Sequence, residues 1–189
     1  MGRHYLPMGK IKVVLKILLF PIIFVYKVFK FLYQSIEKYF LKKYISKIDI
    51  SSIDSLSGYE FEDFLTELFK CIGFKVIETQ KSKDYGADLI IKTKNISIAI
   101  QCKLYFNHKV SNSAIQEIAS ARKYYNTDVA VVITNLYFSK PASILAEKNN
   151  VILWDREMIL KLLRTINTNS NKSVRKYILS TIPTIITTI

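Results

Sequence analysis

The sequence predicts an α/β domain in which helices flank a mixed β-sheet. Three features support this prediction. Apolar residues recur at helical spacing in residues 61–72, short β-type runs follow between residues 75 and 104, and further strands then alternate with helices as far as residue 164. The expected order is α-β-β-β-α-β-α-β-α. Residues 51–165 are long enough to bury one normal core, so we expect them to form this domain.

The basic charge of the chain is unevenly distributed. The formal net charge is +13, and half of the 189 residues are hydrophobic, which excludes a disordered protein. Residues 1–50 contain ten Lys or Arg against two acidic residues, whereas residues 51–165 contain fifteen against thirteen. The excess therefore lies mainly outside the expected domain, where it fits anionic lipid as readily as nucleic acid.

Residues 1–50 are predicted to form a basic, apolar, membrane-associating helix and a linker. The most apolar stretch, residues 11–33, would be about 34 Å long as a helix, against a hydrocarbon core of about 30 Å. Its lysines at 12, 16, 27 and 30 fall within about 60° of one another on a helical projection. This pattern fits a helix lying in the interface, a short span, or a helix that packs on the domain or on a partner.

The lysine distribution also predicts an orientation. Six lysines at positions 27–47 outnumber the four basic residues at positions 3–16. If the helix spans a membrane, this excess favours a cytoplasmic location for the C-terminal domain. We expect the protein on the cytoplasmic face of a membrane, and otherwise in the cytoplasm.

The predicted domain opens with a helix from residue 57. Ser57 and Glu60 have the spacing of a capping box, and Gly73 is the expected stop. Glu62 has no capping role, and it lies at the edge of the apolar stripe, where a carboxylate is usually solvated. It is a candidate site residue only in combination with others.

A strand at residues 75–80 and a loop at 81–86 precede a predicted hairpin, with strands at 87–92 and 97–104. If the turn centres on residues 94 and 95, Asp88 faces Gln101, and Lys103 lies two residues further along the same side. The apolar residues around Cys102 occupy the opposite side. The register therefore predicts a cluster of Asp88, Gln101 and Lys103 at one end of the sheet.

The remaining segments complete the predicted domain. Ser113 and Gln116 have capping-box spacing, and Glu117 and Arg122 in the same helix are expected to be solvated. Residues 166–189 are predicted to be a polar linker and an Ile/Thr-rich tail. The other elements are a helix at 113–126, a strand at 129–135, a helix at 139–149, a strand at 151–155 and a helix through residue 164.

The predicted cluster has the parts of a hydrolytic site. The Asp88 carboxylate, the Gln101 side-chain oxygen and the backbone oxygen of Cys102 are hard ligands that suit Mg²⁺. Lys103 can orient or deprotonate a water, or stabilise a charged transition state. Phosphodiester hydrolysis needs such a cation, an oriented water and a positive group. From spacing alone, an ion pair at the sheet edge beside a hydrogen-bonded glutamine explains the pattern equally well.

Five blocks of sequence extend this interpretation. "GYEFEDFLTELFKCIGFKV", "DYGADLIIK", "IAIQCKLY", "VAVVITNLYFS" and "NNVILWD" together resemble the catalytic domain of Mrr-like restriction endonucleases, of the PD-(D/E)xK nuclease superfamily, over residues 55–163. The resemblance implies a restriction-endonuclease-like fold and a catalytic set of Glu62, Asp88, Gln101 and Lys103. It also implies Mg²⁺, with Mn²⁺ as a second option, and DNA as the substrate.

These expectations combine into one functional hypothesis. The chain is expected to be a metal-dependent DNA endonuclease of a type IV restriction or defence kind, tethered to a membrane through residues 11–33. A homodimer is expected if both DNA strands are cut, because each cut needs a site. The alternative is a membrane-anchored DNA-binding or scaffold protein that keeps the nuclease fold without turnover.

Overall fold

The structure, a computed structural model, describes residues 8–79 and 85–182. The chain divides into two compact units, Met1–Leu41 and Lys42–Ile189. The elements are α1 (Met8–Ile45), α2 (Ile50–Asp54), α3 (Gly58–Ile72), β1 (Lys75–Glu78), β2 (Leu89–Lys92), β3 (Ser97–Lys103), α4 (Asn112–Tyr124), β4 (Val129–Thr134), α5 (Lys140–Asn149), β5 (Val151–Trp154), α6 (Arg156–Thr168) and α7 (Asn171–Ser180).

The first unit consists of the greater part of α1. Large apolar side chains along this helix are exposed, among them Phe20, Phe24, Phe29 and Phe31. Residues Leu18–Ile45 are long and apolar enough to cross a membrane, and none of the most apolar window is buried. Between Leu18 and Tyr44 the helix therefore exposes many apolar side chains.

The second unit contains a five-stranded mixed sheet in the order β1-β2-β3-β4-β5. The pairs β1/β2 and β2/β3 are antiparallel, whereas β3/β4 and β4/β5 are parallel. Helices α4 and α5 form the crossovers that parallel strands need. The predicted α/β class, and the predicted order of elements from α3 to α6, are confirmed.

The two faces of the sheet carry different helices. Ile90, Ala99 and Val132 form one core cluster with apolar residues of α4 and α5. Residues that alternate with these along each strand point to the opposite face. On α3, Phe69 lies 6.2 Å from Trp154, between ring centroids. The sheet is thus covered on both faces, as expected for parallel strands.

The predicted hairpin register is confirmed. Leu89 pairs with Ile100 and Lys92 pairs with Ser97. The turn is closed by a hydrogen bond of 2.9 Å from the Thr93 N–H to the Ile96 carbonyl oxygen. The capping box of Ser57 and Glu60 is also present at the start of α3.

The predicted capping box of Ser113 and Gln116 is wrong. Helix α4 begins at Asn112, its N-cap residue is Ser111, and the Ser111 side chain makes no capping hydrogen bond. The reason lies just before the helix. The Val110 N–H donates to the Tyr137 carbonyl oxygen at 3.0 Å, and Val110 is fully buried. This anchor fixes where the chain turns into the helix, independently of the serine side chains.

Residues 166–182 are not the linker and tail that we expected. Helix α6 continues to Thr168, and α7 follows with buried Val174 and Ile178. The Asn171 side chain donates to the Cys71 carbonyl oxygen at 2.6 Å, and Arg175 donates to the Gly73 carbonyl oxygen at 3.1 Å. Helix α7 therefore packs at the end of α3 and belongs to the second unit. The predicted tail beyond residue 182 lies outside the described residues.

Candidate active site

The four predicted site residues line one cleft of about 620 Å³. Glu62 reaches it from α3, Asp88 from the residue just before β2, and Gln101 and Lys103 from the end of β3. The cleft is also lined by Glu117 of α4. The hairpin register and the packing of α3 and α4 thus bring together side chains that are 55 residues apart in sequence.

Asp88 is held between two strands. Its backbone N–H donates to the Ile100 carbonyl oxygen at 2.8 Å, which continues the β2/β3 ladder. Its side-chain Oδ2 accepts the backbone N–H of Cys102 at 2.6 Å. Hydrogen bonds to an ionised carboxylate are short and strong, so the position of this carboxylate relative to β3 is well defined.

Gly86, two residues before Asp88, has a backbone conformation and a close contact that favour glycine. Its φ is +88°, a conformation that favours glycine. A Cβ at this position would lie 2.7 Å from the Glu117 carbonyl oxygen. The missing side chain therefore lets the segment before Asp88 approach the backbone of α4 and brings one turn of that helix to the cleft.

Gln101 is almost fully buried, with 3% of its surface exposed. Its Nε2 donates to Glu117 Oε2 at 2.6 Å. An ionised carboxylate can only accept hydrogen bonds, so this contact fixes which end of the amide faces Glu117. The other end, Oε1, is buried and has no hydrogen-bond partner within the described part of the chain. Such an acceptor is costly, which is typical of a position that receives a ligand.

Lys103 is half-buried, and its Nζ lies 3.0 Å from Glu117 Oε2. Burial alone would lower the pKa of Lys103. The hydrogen bond to Glu117 and the negative charges of Glu117 and Asp88 outweigh burial, so the pKa of Lys103 is raised above its usual value. The ammonium group is therefore charged at neutral pH, which favours an electrostatic role over that of a general base.

Cys102, between Gln101 and Lys103, lies near the negative charges of Asp88 and Glu62. Burial, together with the charges of Asp88 and Glu62, raises the pKa of the Cys102 thiol well above its usual value. The thiol is therefore neutral and unsuited to be a nucleophile or a thiolate ligand. Any contribution of Cys102 to a site would come from its backbone oxygen, as predicted from the sequence.

Sequence reasoning missed Glu117, which we expected to be solvated. Its side chain is 43% exposed, yet it contacts both Gln101 and Lys103. The buried residues Ala114 and Ile118 mark the face of α4 that packs on the sheet, and Glu117 lies beside them. That spacing was visible in the sequence, but the point where α4 crosses β3 was not. Arg122, in contrast, donates to the Asn150 carbonyl oxygen at 3.3 Å and does not line the cleft.

The solved structures that are similar to this chain include the following three. The protein of unknown function AF1548 is 13% identical, with a TM-score of 0.46 over 66% of this chain and 96% of its own. The DNA modification-dependent restriction endonuclease AspBHI is 19% identical, with a TM-score of 0.48 over 77% and 39%. The restriction endonuclease MspJI, solved with a 27-mer oligonucleotide, is 17% identical, with a TM-score of 0.41 over 65% and 31%. The chain thus spans less than half of either endonuclease.

No curated protein matches the chain. The sequence profile of the restriction endonuclease family Mrr_cat matches residues 53–163, which is more than half of the chain. The matched region starts before α3 and ends within α6, so it contains every residue that we assigned to the cleft. The chain belongs to the Mrr_cat family of restriction endonucleases.

Proposed function

We propose that this protein is a metal-dependent DNA endonuclease with Glu62, Asp88, Gln101 and Lys103 as its catalytic set. The observation that carries the proposal is the buried Oε1 of Gln101, which has no hydrogen-bond partner among residues 8–79 and 85–182, in a cleft that these four residues line. Membership of a restriction endonuclease family supports a role in DNA cleavage. A purely structural ion pair at a sheet edge would not need this unsatisfied oxygen.

The residues of the cleft fit a hard divalent cation. Asp88, the Oε1 atom of Gln101 and the backbone oxygen of Cys102 would hold Mg²⁺ or Mn²⁺, since all are oxygen ligands. In the described ranges 8–79 and 85–182, no three His, Cys, Asp or Glu residues cluster as a metal site. The proposed ligand set therefore depends on amide and backbone oxygens. When bound, the ion would neutralise phosphate charge and acidify a water molecule.

The chain's own residues supply the remaining functions. Lys103 is charged at the rim of the cleft, where it would bind a phosphate oxygen and stabilise the negative charge that develops during hydrolysis. Glu62 reaches the cleft from α3, and its carboxylate would orient a water. The bond from the Cys102 N–H keeps Asp88 in place while DNA binds and leaves.

The test is cleavage of supercoiled plasmid by the full-length chain, purified in a mild detergent. Reactions contain Mg²⁺, Mn²⁺ or a chelator, and Lys103→Ala is compared with Lys148→Ala, which removes an exposed lysine on α5. We expect nicked or linear DNA from the wild type and from Lys148→Ala only when metal is present. Binding of DNA without cleavage under every condition would instead support the non-catalytic scaffold.

We also propose that the substrate is foreign or modified DNA, in a restriction or defence role. The support is membership of the restriction endonuclease family. The same plasmid is prepared without methylation, with adenine methylation and with cytosine methylation, and the cleavage rates are compared. Equal rates on all three would argue against modification dependence, while leaving the nuclease proposal intact.

We propose that α1 associates the protein with the cytoplasmic face of a membrane. The helix exposes many apolar side chains between Leu18 and Tyr44, and lysines are interspersed among them. Flotation with neutral and anionic vesicles, using the wild type and Ile23→Asp/Phe24→Asp, tests this proposal. Loss of flotation in the variant supports it. Equal flotation of both proteins, or flotation of neither, would favour a helix that docks on a protein partner.

We propose that cleavage of both DNA strands uses a homodimer, because one cleft can hydrolyse one bond at a time. Analytical ultracentrifugation with and without DNA measures the assembly state. A monomer that still converts supercoiled plasmid directly to linear DNA would contradict a dimer.

A further inference from the structure

We propose that Glu117 is a positioning residue, which orients the Gln101 amide toward the metal and holds the Lys103 ammonium group at the rim of the cleft. The inference deepens the proposed function and rests on it. Glu117 is not one of the four residues of the proposed catalytic set. It lies on α4, whereas Glu62 lies on α3.

One carboxylate oxygen makes both contacts. Glu117 Oε2 accepts from Gln101 Nε2 at 2.6 Å and lies 3.0 Å from Lys103 Nζ. Gln101 and Lys103 are two residues apart, so they project from the same side of β3. A single acceptor above that side can therefore fix both side chains at once.

The first consequence concerns the amide of Gln101. A primary amide has two ends of similar size but opposite hydrogen-bonding character. Because the N–H end is bound to Glu117, the carbonyl oxygen is left as the buried end, with no partner in the part of the chain that the structure describes. Without Glu117 nothing in these contacts selects that orientation, and the flipped amide would point N–H groups at a cation.

The second consequence concerns Lys103. A lysine side chain has many rotamers, and fixing it in one place costs conformational entropy. Its ion pair with Glu117 restricts the ammonium group before DNA arrives, and the nearby charge of Asp88 attracts it to the same region. A group that is already in place loses less entropy when the reaction needs it.

The helix that carries Glu117 is itself fixed against the site. The missing side chain of Gly86 allows the segment before Asp88 to lie against the Glu117 backbone. The Asp88 segment, the Gln101 amide and the Lys103 ammonium group thus meet at one turn of α4. This turn is suited to set the relative positions of the three groups.

The test compares Glu117→Ala, Glu117→Gln and the control Glu147→Ala, which removes an exposed acid from α5. All are made in the full-length chain. Manganese affinity is measured by titration calorimetry, and kcat and KM are measured on plasmid. Glutamine keeps an oxygen that can accept from Gln101 but loses the charge, so it separates orientation from simple electrostatic attraction of the ion.

We expect Glu117→Ala to weaken manganese binding by roughly 10-fold to 100-fold, as for other residues that orient a metal ligand. We expect kcat to fall with it, whereas Glu117→Gln recovers most of the metal affinity and Glu147→Ala matches the wild type. Fluorescence of Trp154, the chain's only tryptophan, should give similar melting temperatures for all four proteins.

Three outcomes would overturn the inference. Equal losses in Glu117→Ala and Glu117→Gln would mean that charge alone matters. Unchanged metal binding and cleavage in Glu117→Ala would mean that Glu117 orients nothing, and faster cleavage would mean that it restrains Lys103. If the wild type itself neither binds manganese nor cleaves DNA, the proposed function fails together with the inference. If the wild type binds manganese and cleaves DNA, the variants test only the role of Glu117.

Discussion

The Asp88 carboxylate accepts the backbone N–H of Cys102, with 2.6 Å between Oδ2 and N. Cys102 lies between Gln101 and Lys103 on β3. One hydrogen bond thus connects Asp88, just before β2, to the segment of β3 that carries two other predicted site residues. This connection allows the structural and chemical roles of Asp88 to be separated by substitution.

Substitution of Asp88 should affect cleavage and stability differently. Asp88→Asn can still accept the Cys102 N–H but loses its charge, whereas Asp88→Ala leaves that N–H unpaired. We expect both to lower the cleavage rate at least about 100-fold, and only Asp88→Ala to destabilise the protein, by about 1–3 kcal/mol. Plasmid cleavage and urea unfolding measure the two effects. Cleavage by Asp88→Asn at the wild-type rate would contradict a metal-binding role.

Gly86→Ala should disturb the site more than its small size suggests. The φ of +88° disfavours alanine, and the new Cβ would meet the Glu117 carbonyl oxygen at 2.7 Å. We expect a destabilisation of about 1–3 kcal/mol and a loss of cleavage at temperatures where the variant is still folded. Gly58→Ala is the matched control, because a Cβ there has no described residue within 4 Å. Equal behaviour of the two variants would mean that the close approach is unimportant.

Helix α7 should be required for the stability of the second unit. Ile178 is fully buried, and we expect Ile178→Ala to destabilise the protein by about 2–5 kcal/mol. Lys176→Ala, on the exposed side of the same helix, should change the stability by less than about 0.5 kcal/mol. Urea unfolding followed by Trp154 fluorescence measures both. A small effect of Ile178→Ala would restore the view of residues 166–182 as a dispensable tail.

Asp54 should make the stability depend on pH in the acid range. It accepts hydrogen bonds of 2.8 Å from Nη1 and from Nη2 of Arg156, and 2.9 Å from Asn135. The hydrogen bonds from Arg156 lower the pKa of Asp54 below its usual 3.8, despite partial burial. A depressed pKa in the folded state stabilises the protein above the unfolded pKa, and this contribution is lost as the pH falls through the folded pKa.

We therefore expect Asp54→Asn to be about 2 kcal/mol less stable than the wild type at neutral pH. The difference should stay constant down to about pH 5 and shrink as the pH falls toward and below the pKa of Asp54. Unfolding curves at a series of pH values measure it, with Glu147→Gln as an exposed control. If the difference in stability grew as the pH fell, it would contradict a lowered pKa of Asp54 in the folded protein.

The features that the sequence predicted correctly depend on local rules. The alternation of apolar residues in 87–92 and 97–103 and an even turn are enough to fix which residues pair, so Asp88 could be placed beside Gln101. The Ser57–Glu60 capping box is likewise a relation between residues three apart. Such patterns determine the local structure without any contribution from distant parts of the chain.

The features that were missed depend on packing between distant segments. The start of α4 is fixed by the contact of Val110 with Tyr137, which lies 27 residues further along the chain. The place of Glu117 depends on how α4 crosses the sheet and on the space left by Gly86. Helix α7 does have apolar residues four apart, at 174 and 178, but its polar composition and short length concealed this spacing.

The central position of β3 has a consequence for when the protein becomes active. The residues that line the cleft all lie before residue 118, so a ribosome has synthesised them well before it completes the sheet. Until β4 is made, however, β3 lacks its parallel neighbour, and α4 has no second strand on which to close the crossover. We expect the nascent chain to be inert toward DNA until residues 129–134 have emerged and folded. The sheet order thereby makes the assembly of the cleft depend on the synthesis of β4.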